Sequence, residues 1–218
     1  MSSSVQDESL ERVLSRYELE LPGELVARIQ QYCELLWSWN EKFNLTRHTT
    51  FDLFVTRDLC DTQHLSAQLD SGVRVLDWGS GGGVPGLLLA LLRPDLKVEL
   101  SESIGKKAQA LQDMVRRLRL PVKVHGRHIE RVLERPRAHY EAVTARAIGP
   151  LWKMLRTLRP YWTIVDGLYA IKGPRWVEER GEARHRGFLS DMELRKLVEY
   201  RSPGEEGRES VILRVRPS

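Results

Sequence analysis

From Val75 to Gly86 the chain reads Val-Leu-Asp-Trp-Gly-Ser-Gly-Gly-Gly-Val-Pro-Gly, a short apolar segment that ends in clustered glycines and is followed by a leucine-rich stretch. No other stretch leaves so few architectures open. Arg74 to Asp77 predicts a buried strand, Gly79 to Gly83 a turn, and Leu87 to Leu92 a helix packed on a sheet. Glycine permits positive φ, and its missing Cβ lets a nucleotide-type ligand lie against the backbone. The run therefore predicts a ligand loop.

Two chemistries use such a loop. Asp77-x-Gly79-x-Gly81-x-Gly83 matches the acidic-x-Gly-x-Gly-x-Gly pattern of S-adenosylmethionine-dependent methyltransferases, whose carboxylate lies near the charged amino-acid part of the cofactor. Gly81-x-Gly83-x-x-Gly86 also spells the dinucleotide fingerprint. Against that, Pro85 sits where the helix should begin to donate N–H groups to a pyrophosphate, and proline has none. Lys97 to Leu100 predicts a second strand, and Glu102 falls just past it, near the roughly 20-residue spacing at which an acid reaches ribose hydroxyls. A carboxylate there repels a 2′-phosphate, which argues against NADP. Its other possible role is to cap the following helix, alone or with Ser103.

The 218 residues are 41% hydrophobic, enough for one core of ordinary size plus an extension. Residues 1–70 predict an N-terminal helical extension. Leu10, Val13, Leu14 and Tyr17 form one stripe, and Leu25, Ile29, Tyr32, Cys33 and Leu36 a second. A third runs from Phe51 to Leu69, with Phe54, Val55, Leu59 and Leu65 apolar, and Pro22-Gly23 separates the first two. Residues 71–218 predict the S-adenosylmethionine-binding domain. Past the second strand, Ile104, Ala108, Leu111, Val115 and Leu118 recur at helical spacing, and strands are expected at Pro121–His125, Tyr140–Arg146 and Gly167–Lys172. This alternation implies a parallel sheet with right-handed crossovers and a ligand at the carboxyl ends of its strands. Leu194–Tyr200 and Ser210–Val215, joined by the turn-rich Ser202–Gly207, predict an antiparallel hairpin, and the charged Gly181–Gly187 a loop. The expected fold is α/β, of the class I methyltransferase (Rossmann-like) type: a mostly parallel sheet with an antiparallel C-terminal hairpin, preceded by N-terminal helices.

No apolar run approaches about 20 residues, and Met1–Asp7 has no charged-then-apolar leader. Neither a membrane span nor a secretory signal is expected, and the composition suits the cytoplasm. Cys33 and Cys60 lack C-x-x-C spacing and read as buried free thiols; the six histidines form no ligand set, so no metal site is expected. The net charge is only +4, yet Arg116, Arg117, Arg119, Lys123, Arg127, Arg131, Arg135 and Arg137 crowd into one segment. Such a cluster is either a phosphate-contacting surface or a solvated face.

Several motifs occur in a fixed order around the loop: Trp39-Asn-Glu-Lys-Phe-Asn-Leu-Thr46 and Arg57-Asp-Leu-Cys-Asp61 before it, then Arg93-Pro94, Ser103-Ile-Gly-Lys-Lys107, Gly126-Arg127, Ala145-Arg-Ala147 and Ile171-Lys-Gly173. Together they resemble the bacterial small-subunit (16S) ribosomal RNA guanine-N7 methyltransferase family, also called the glucose-inhibited division protein B family, over about residues 30 to 175. Glu102 stands where the family usually has Asp. Beside Asp77, Gly81 and Glu102, the resemblance implies that Gly79 and Val84 line the S-adenosylmethionine loop and that Ile129 and Glu130 flank the adenine. It places Arg146 at the boundary of cofactor and substrate. Lys106, Lys107, Arg127, Arg146 and Lys172 are the expected RNA contacts. Their bland alternatives are core for Ile129, ion pairs for Glu130 and Arg146, and a solvent-facing amine for Lys172.

A guanine N7 carries a free lone pair at neutral pH, so the implied reaction needs alignment and exclusion of water, and no catalytic acid or base is nominated. A-form RNA hides that edge in a deep, narrow groove. A distorted or single-stranded target is therefore expected; the substrate implied is ribosomal RNA, either naked or within the small ribosomal subunit, acted on by a protein expected to be a monomer. Trp39, Phe43 and Phe54 are candidates to stack a base, with core positions as the alternative at their helical spacing. The residues alone leave open a methyltransferase with another acceptor, a non-catalytic RNA-binding protein and an NAD-dependent oxidoreductase. For the last, no proton-relay set is visible.

Overall fold

A computed structural model describes residues 8–204 and 207–218. The leader expectation at Met1–Asp7 falls outside the described residues, as do Glu205 and Glu206 of the predicted C-terminal turn. Helices come first: α1 (Leu10–Arg16), α2 (Gly23–Asn40), and then α3 (Phe51–Leu53), a π-helical turn (Phe54–Leu59) and α4 (Cys60–Ser66) in direct succession. Ser9 caps α1 and Thr50 caps α3, each accepting a backbone N–H three residues on. From Arg74 strands and helices alternate through β1 (Arg74–Trp78), α5 (Gly86–Leu92), β2 (Lys97–Ser101), α6 (Gly105–Arg117), β3 (Lys123–His125), α7 (Ile129–Leu133), β4 (Ala142–Arg146), α8 (Leu151–Leu158), β5 (Leu168–Lys172) and α9 (Trp176–His185). The chain closes with β6 (Met192–Arg201) and β7 (Glu209–Pro217).

The seven strands form one sheet in the order β3-β2-β1-β4-β5-β7-β6. The first five are parallel, and β7 runs antiparallel to both β5 and β6. This is the mostly parallel sheet with an antiparallel C-terminal pair that the alternation of motifs predicted. Successive strand residues bury on opposite faces. Val75, Leu100, Ala142, Ile171 and Ile212 pack with α1, α2, α4, α5 and α6, whereas Leu76, Val143, Ala170 and Leu213 pack with α7, α8 and α9. The N-terminal helices thus bury their apolar stripes in the same cluster as α5 and α6. Cys33 and Cys60 are buried free thiols; burial pushes Cys33 well above the usual thiol range and Cys60 to about 11.

Two local expectations are overturned. Gly181–Gly187 is not a loop, because its first five residues complete α9. Glu178 and Glu179 in the first turn and Arg184 and His185 in the last complement the helix dipole, Arg186 pairs with Glu182 at 2.9 Å, and Ala183 is fully buried. High charge marked an exposed helix face. Ile104, assigned to the buried stripe of α6, instead precedes that helix and is 45% exposed.

Glycines at two helical positions should respond oppositely to alanine. A Cβ on Gly86 would lie 2.5 Å from both Asp77 Cβ and Leu100 Cδ2, so G86A should cost about 1–3 kcal/mol of stability. Gly181 meets nothing within 4 Å and is helical, so G181A should add roughly 1 kcal/mol. Equilibrium urea unfolding of both variants checks the pair of signs.

Candidate cofactor and substrate site

Strand order reverses between β1 and β4, and the crevice beyond the carboxyl ends of such strands is where ligands bind in α/β sheets. Along that rim lie Asp77 and Gly79 at the end of β1, Glu102 after β2, Ile129 and Glu130 after β3, Arg146 at the end of β4 and Lys172 at the end of β5. Val84 stands between the glycine loop and α5, and Lys106 and Lys107 fill the first turn of α6.

The loop is shaped by backbone. Gly79, Gly81 and Gly83 hold φ of 67°, 54° and 104°, values at which a side chain is strained. The N–H groups of Gly79 and Ser80 both donate to Ser101 O, at 2.8 and 3.1 Å, tying the loop to β2. Glu102 is 5% exposed; its Oε2 accepts from Gly81 N at 2.9 Å and its Oε1 from Ile104 N at 2.8 Å. Each oxygen keeps a further lone pair for a hydroxyl donor. Ser101 Oγ donates to Arg127 O at 3.0 Å, and Glu102 N to His125 O at 3.0 Å, which seats Arg127 to Glu130 beside the acid. Ile129 is buried and backs this edge, while Ile104 is an exposed apolar side chain next to it. Helical spacing had hidden Ile104; its position just past an acidic strand end was the available signal.

Asp77 is wholly buried. Thr144 Oγ1 donates to its Oδ1 at 2.8 Å, and Oδ2 faces Gly86. Burial raises its carboxyl to about 6 against the partial relief of its hydrogen bonds. Arg146 reaches back to the N-terminal helices: its guanidinium lies 2.7 Å from Asp58 Oδ1 and 3.1 Å from Asp61 Oδ2. Tyr200 donates to Asp61 Oδ1 at 2.7 Å, and His48 Nδ1 lies 2.9 Å from Asp58 Oδ1. Burial works against the charge on Arg146, but the two carboxylates hold its pKa above the ordinary range.

Beside Arg146 opens a cleft of about 840 Å³ lined by Arg57, Arg175, Arg208, Lys172, Asp61 and Glu178, among others. Lys172 is buried, donating to Gly149 O at 2.6 Å and pairing with Glu179 at 2.7 Å, so its charge is balanced within the wall. Among the described residues no carboxylate pairs with Arg57, Arg175 or Arg208. Arg175 and Arg208 escaped the sequence reading because they stand outside every motif. The basic segment splits likewise. Arg116 and Arg117 pair with Asp113, Arg131 with Glu134 and Arg135 with Glu99, while Arg119, Lys123, Arg127 and Arg137 have no such partner among the described residues. Of the candidate stacking rings, Phe54 is core, fully buried against Tyr32, whereas Trp39 and Phe43 are half-buried and stacked on each other.

This sheet order, with a glycine loop after β1 and an acid after β2, defines the class I S-adenosylmethionine-dependent methyltransferase fold. Solved structures with the same fold include the O-methyltransferase from Bacillus cereus in complex with SAH (TM-score 0.61, 12% identity, 95% of this chain and 96% of that one). The 23S rRNA methyltransferase ErmE is another (TM-score 0.52, 14% identity, 74% and 69%). The family model described as rRNA small subunit methyltransferase G, GidB, matches residues 25–207, and the chain belongs to that family. Relatives named ribosomal RNA small subunit methyltransferase G occur in Rhodopirellula baltica (48% identity over 194 residues, 89% of this chain and 83% of that protein) and Thermotoga maritima (31% over 208 residues, 95% and 86%).

An acid whose folded pKa lies above its unfolded value keeps its proton more firmly in the folded chain. Asp77 therefore favours folding below about pH 4, and that contribution is lost as pH rises through 6. D77N should remove the dependence: its melting temperature minus that of the wild type should climb by roughly 5 °C between pH 4.5 and 7 in calorimetric scans. A difference that stays flat with pH rejects the raised carboxyl.

Proposed function

We propose that this protein transfers a methyl group from S-adenosylmethionine to N7 of a guanine in 16S ribosomal RNA. The observation that carries the reading is the continuous rim formed by the bare glycine loop, the hydrogen-bonded acid Glu102 and the cleft of mixed charge at the ends of β4 and β5, where Arg57, Arg175 and Arg208 pair with no carboxylate among the described residues. It is supported by membership of a family described as rRNA small subunit methyltransferase G.

The residues present fit the cofactor. Glu102 has lone pairs left for two ribose hydroxyls after accepting from Gly81 and Ile104. Gly79, Gly81 and Val84 line the adenosyl side, with Asp77 beneath them. Ile129 and Glu130 edge the adenine position, and Ile104 adds an apolar surface there. Bound in this loop, S-adenosylmethionine supplies an activated methyl group. The chain's own part is alignment: the loop, pinned to Ser101 O, fixes one reactant, and the cleft fixes the other. No side chain needs to move a proton, because the guanine N7 lone pair is free. Arg146 stands where loop and cleft meet, oriented by Asp58 and Asp61. Lys106, Lys107 and Arg127 on the rim and Arg57, Arg175 and Arg208 in the cleft supply charge for RNA phosphates, while Lys172 stiffens the cleft wall.

The reading extends to a protein that acts in the cytoplasm, as a monomer, on RNA presented by the small ribosomal subunit. No helix among the described residues is long and apolar enough to cross a membrane.

Incubating the protein with methyl-labelled S-adenosylmethionine and small subunits lacking the modification should place label in 7-methylguanosine of 16S rRNA; label in protein, metabolites or another base position refutes the assignment. E102A should weaken S-adenosylhomocysteine binding by roughly 10- to 100-fold in titration calorimetry, the loss of charge-assisted hydrogen bonds.

A further inference from the structure

Trp39 and Phe43 lie away from the cleft, at the carboxyl end of α2, with ring centroids 5.9 Å apart and planes inclined by 16°. Neither ring is fully buried, unlike Tyr32 and Phe54 in the core a few turns away. Each is covered by an ammonium: Lys42 Nζ sits 5.1 Å from the Trp39 ring and Lys106 Nζ, from the first turn of α6, 5.3 Å from Phe43. Both lysines are exposed, and among the described residues neither pairs with a carboxylate. We propose that these four residues form a second RNA contact outside the cleft, which stacks an unpaired base and holds its adjoining phosphate. The inference rests on RNA being the substrate.

Chemistry and rigidity both support this occupant. A flat aromatic pair beside two unneutralised cations complements a base and a phosphate together, and only unpaired bases offer a free face. An exposed ammonium over a ring is held more weakly than a stacked base, so a base displaces the lysine, whose flexible stem carries its charge to the phosphate. The platform itself is fixed. Trp39 Nε1 donates to Asp113 Oδ2 at 3.0 Å, and Asn40 Oδ1 accepts from Leu45 N and Thr46 N at 2.8 and 2.9 Å. Leu45 then packs over Gly82 in the glycine loop, and the same segment ends at His48, which lines the cleft. The five steps from Phe43 to His48 span at most about 18 Å, a reach of a few nucleotides. A strand with its target guanine in the cleft therefore lays a flanking base on the platform.

The test uses the full chain, a 16S rRNA transcript and assembled small subunits. F43A should raise the dissociation constant for the transcript about 10-fold and lower kcat/KM for methyl transfer to match, with F43Y restoring both. The double variant Lys42→Ala with Lys106→Ala keeps both rings and serves if F43A fails to fold. It should reduce the slope of log affinity against log salt by roughly 1.4, two contacts to a single strand. S-adenosylhomocysteine affinity should stay within about twofold throughout, as cofactor contacts are untouched. Unchanged transcript affinity and salt slope in the lysine variant overturn the proposal, and so does a defect seen with subunits but not with the transcript, which assigns the surface to a ribosomal protein. If wild type binds S-adenosylhomocysteine but methylates neither RNA, the substrate reading itself fails and takes the platform with it; if wild type methylates and the variants equal it, the platform alone falls.

Discussion

Arg146 held between Asp58 and Asp61 is the contact that joins the two parts of the crevice. The arginine ends β4, and the acids belong to the π-turn and α4 of the N-terminal region, so this ion pair spans 85 to 88 positions of sequence. Removing three charged groups from water is costly, and it succeeds because a guanidinium presents a rigid fork to two carboxylates at once. Only Asp58 is fully buried, and Arg146 is its charged partner, so losing the arginine leaves that carboxylate with His48 alone, whereas losing Asp61 leaves Arg146 paired with Asp58. Among the described residues Asp58 Oδ2 has no hydrogen-bond partner. Tyr200 of β6 and His48 of the connecting segment close the ring around the acids, so the antiparallel edge and the N-terminal helices are both fixed relative to the site.

A second tether runs through residues 37–48. Its parts have separate duties: Asn40 closes the turn, Leu45 covers the place where a side chain on Gly82 would collide with it and with Leu36, and Trp37 Nε1 donates to His48 O at 2.8 Å. Tyr32 from α2 donates to Gly82 O at 2.9 Å. The glycine loop is therefore gripped from above by the N-terminal region and from below by Ser101 of β2. A loop with no side chains of its own needs such external support to hold one geometry.

How much of this was legible depended on whether the signal was local. The strand–loop–helix of β1 and α5 was readable because φ demands glycine at Gly79, Gly81 and Gly83, and because apolar runs such as Leu87–Leu92 have one plausible fate beside a sheet. The place of Glu102, just past β2 and beside the glycine loop, was readable from its spacing. Arg146 was readable as a strand-end arginine, but not its partners: Asp58 and Asp61 meet it only through the tertiary fold, and the π-turn that carries Asp58 leaves no periodic trace. Ile104 and α9 were misread for opposite reasons. An apolar residue one step before a helix looks like part of its stripe, and a helix with a single buried face residue, Ala183, looks like a charged loop. Arg175 and Arg208 reach the cleft from positions just before α9 and β7, where local patterning marks a turn but not which way its side chains face.

The mixture of charges in the cleft follows from the reaction proposed for it. An RNA strand brings phosphates, which Arg57, Arg175 and Arg208 can meet, but an N7-methylated guanine is itself a cation. A wall of cations alone would bind the substrate well and oppose the developing positive charge on the base. In the proposed reaction Asp61 and Glu178 in the same wall would offset that charge, with both oxygens of Asp61 already held by Arg146 and Tyr200. Charge that shifts from one bound reactant to the other, with no proton to dispose of, asks for dipoles already in place rather than for a group that changes state. In the proposed reaction the hydrogen-bonded set of Asp58, Asp61, Arg146 and Tyr200 would supply such fixed dipoles, because each of its members is already held by another.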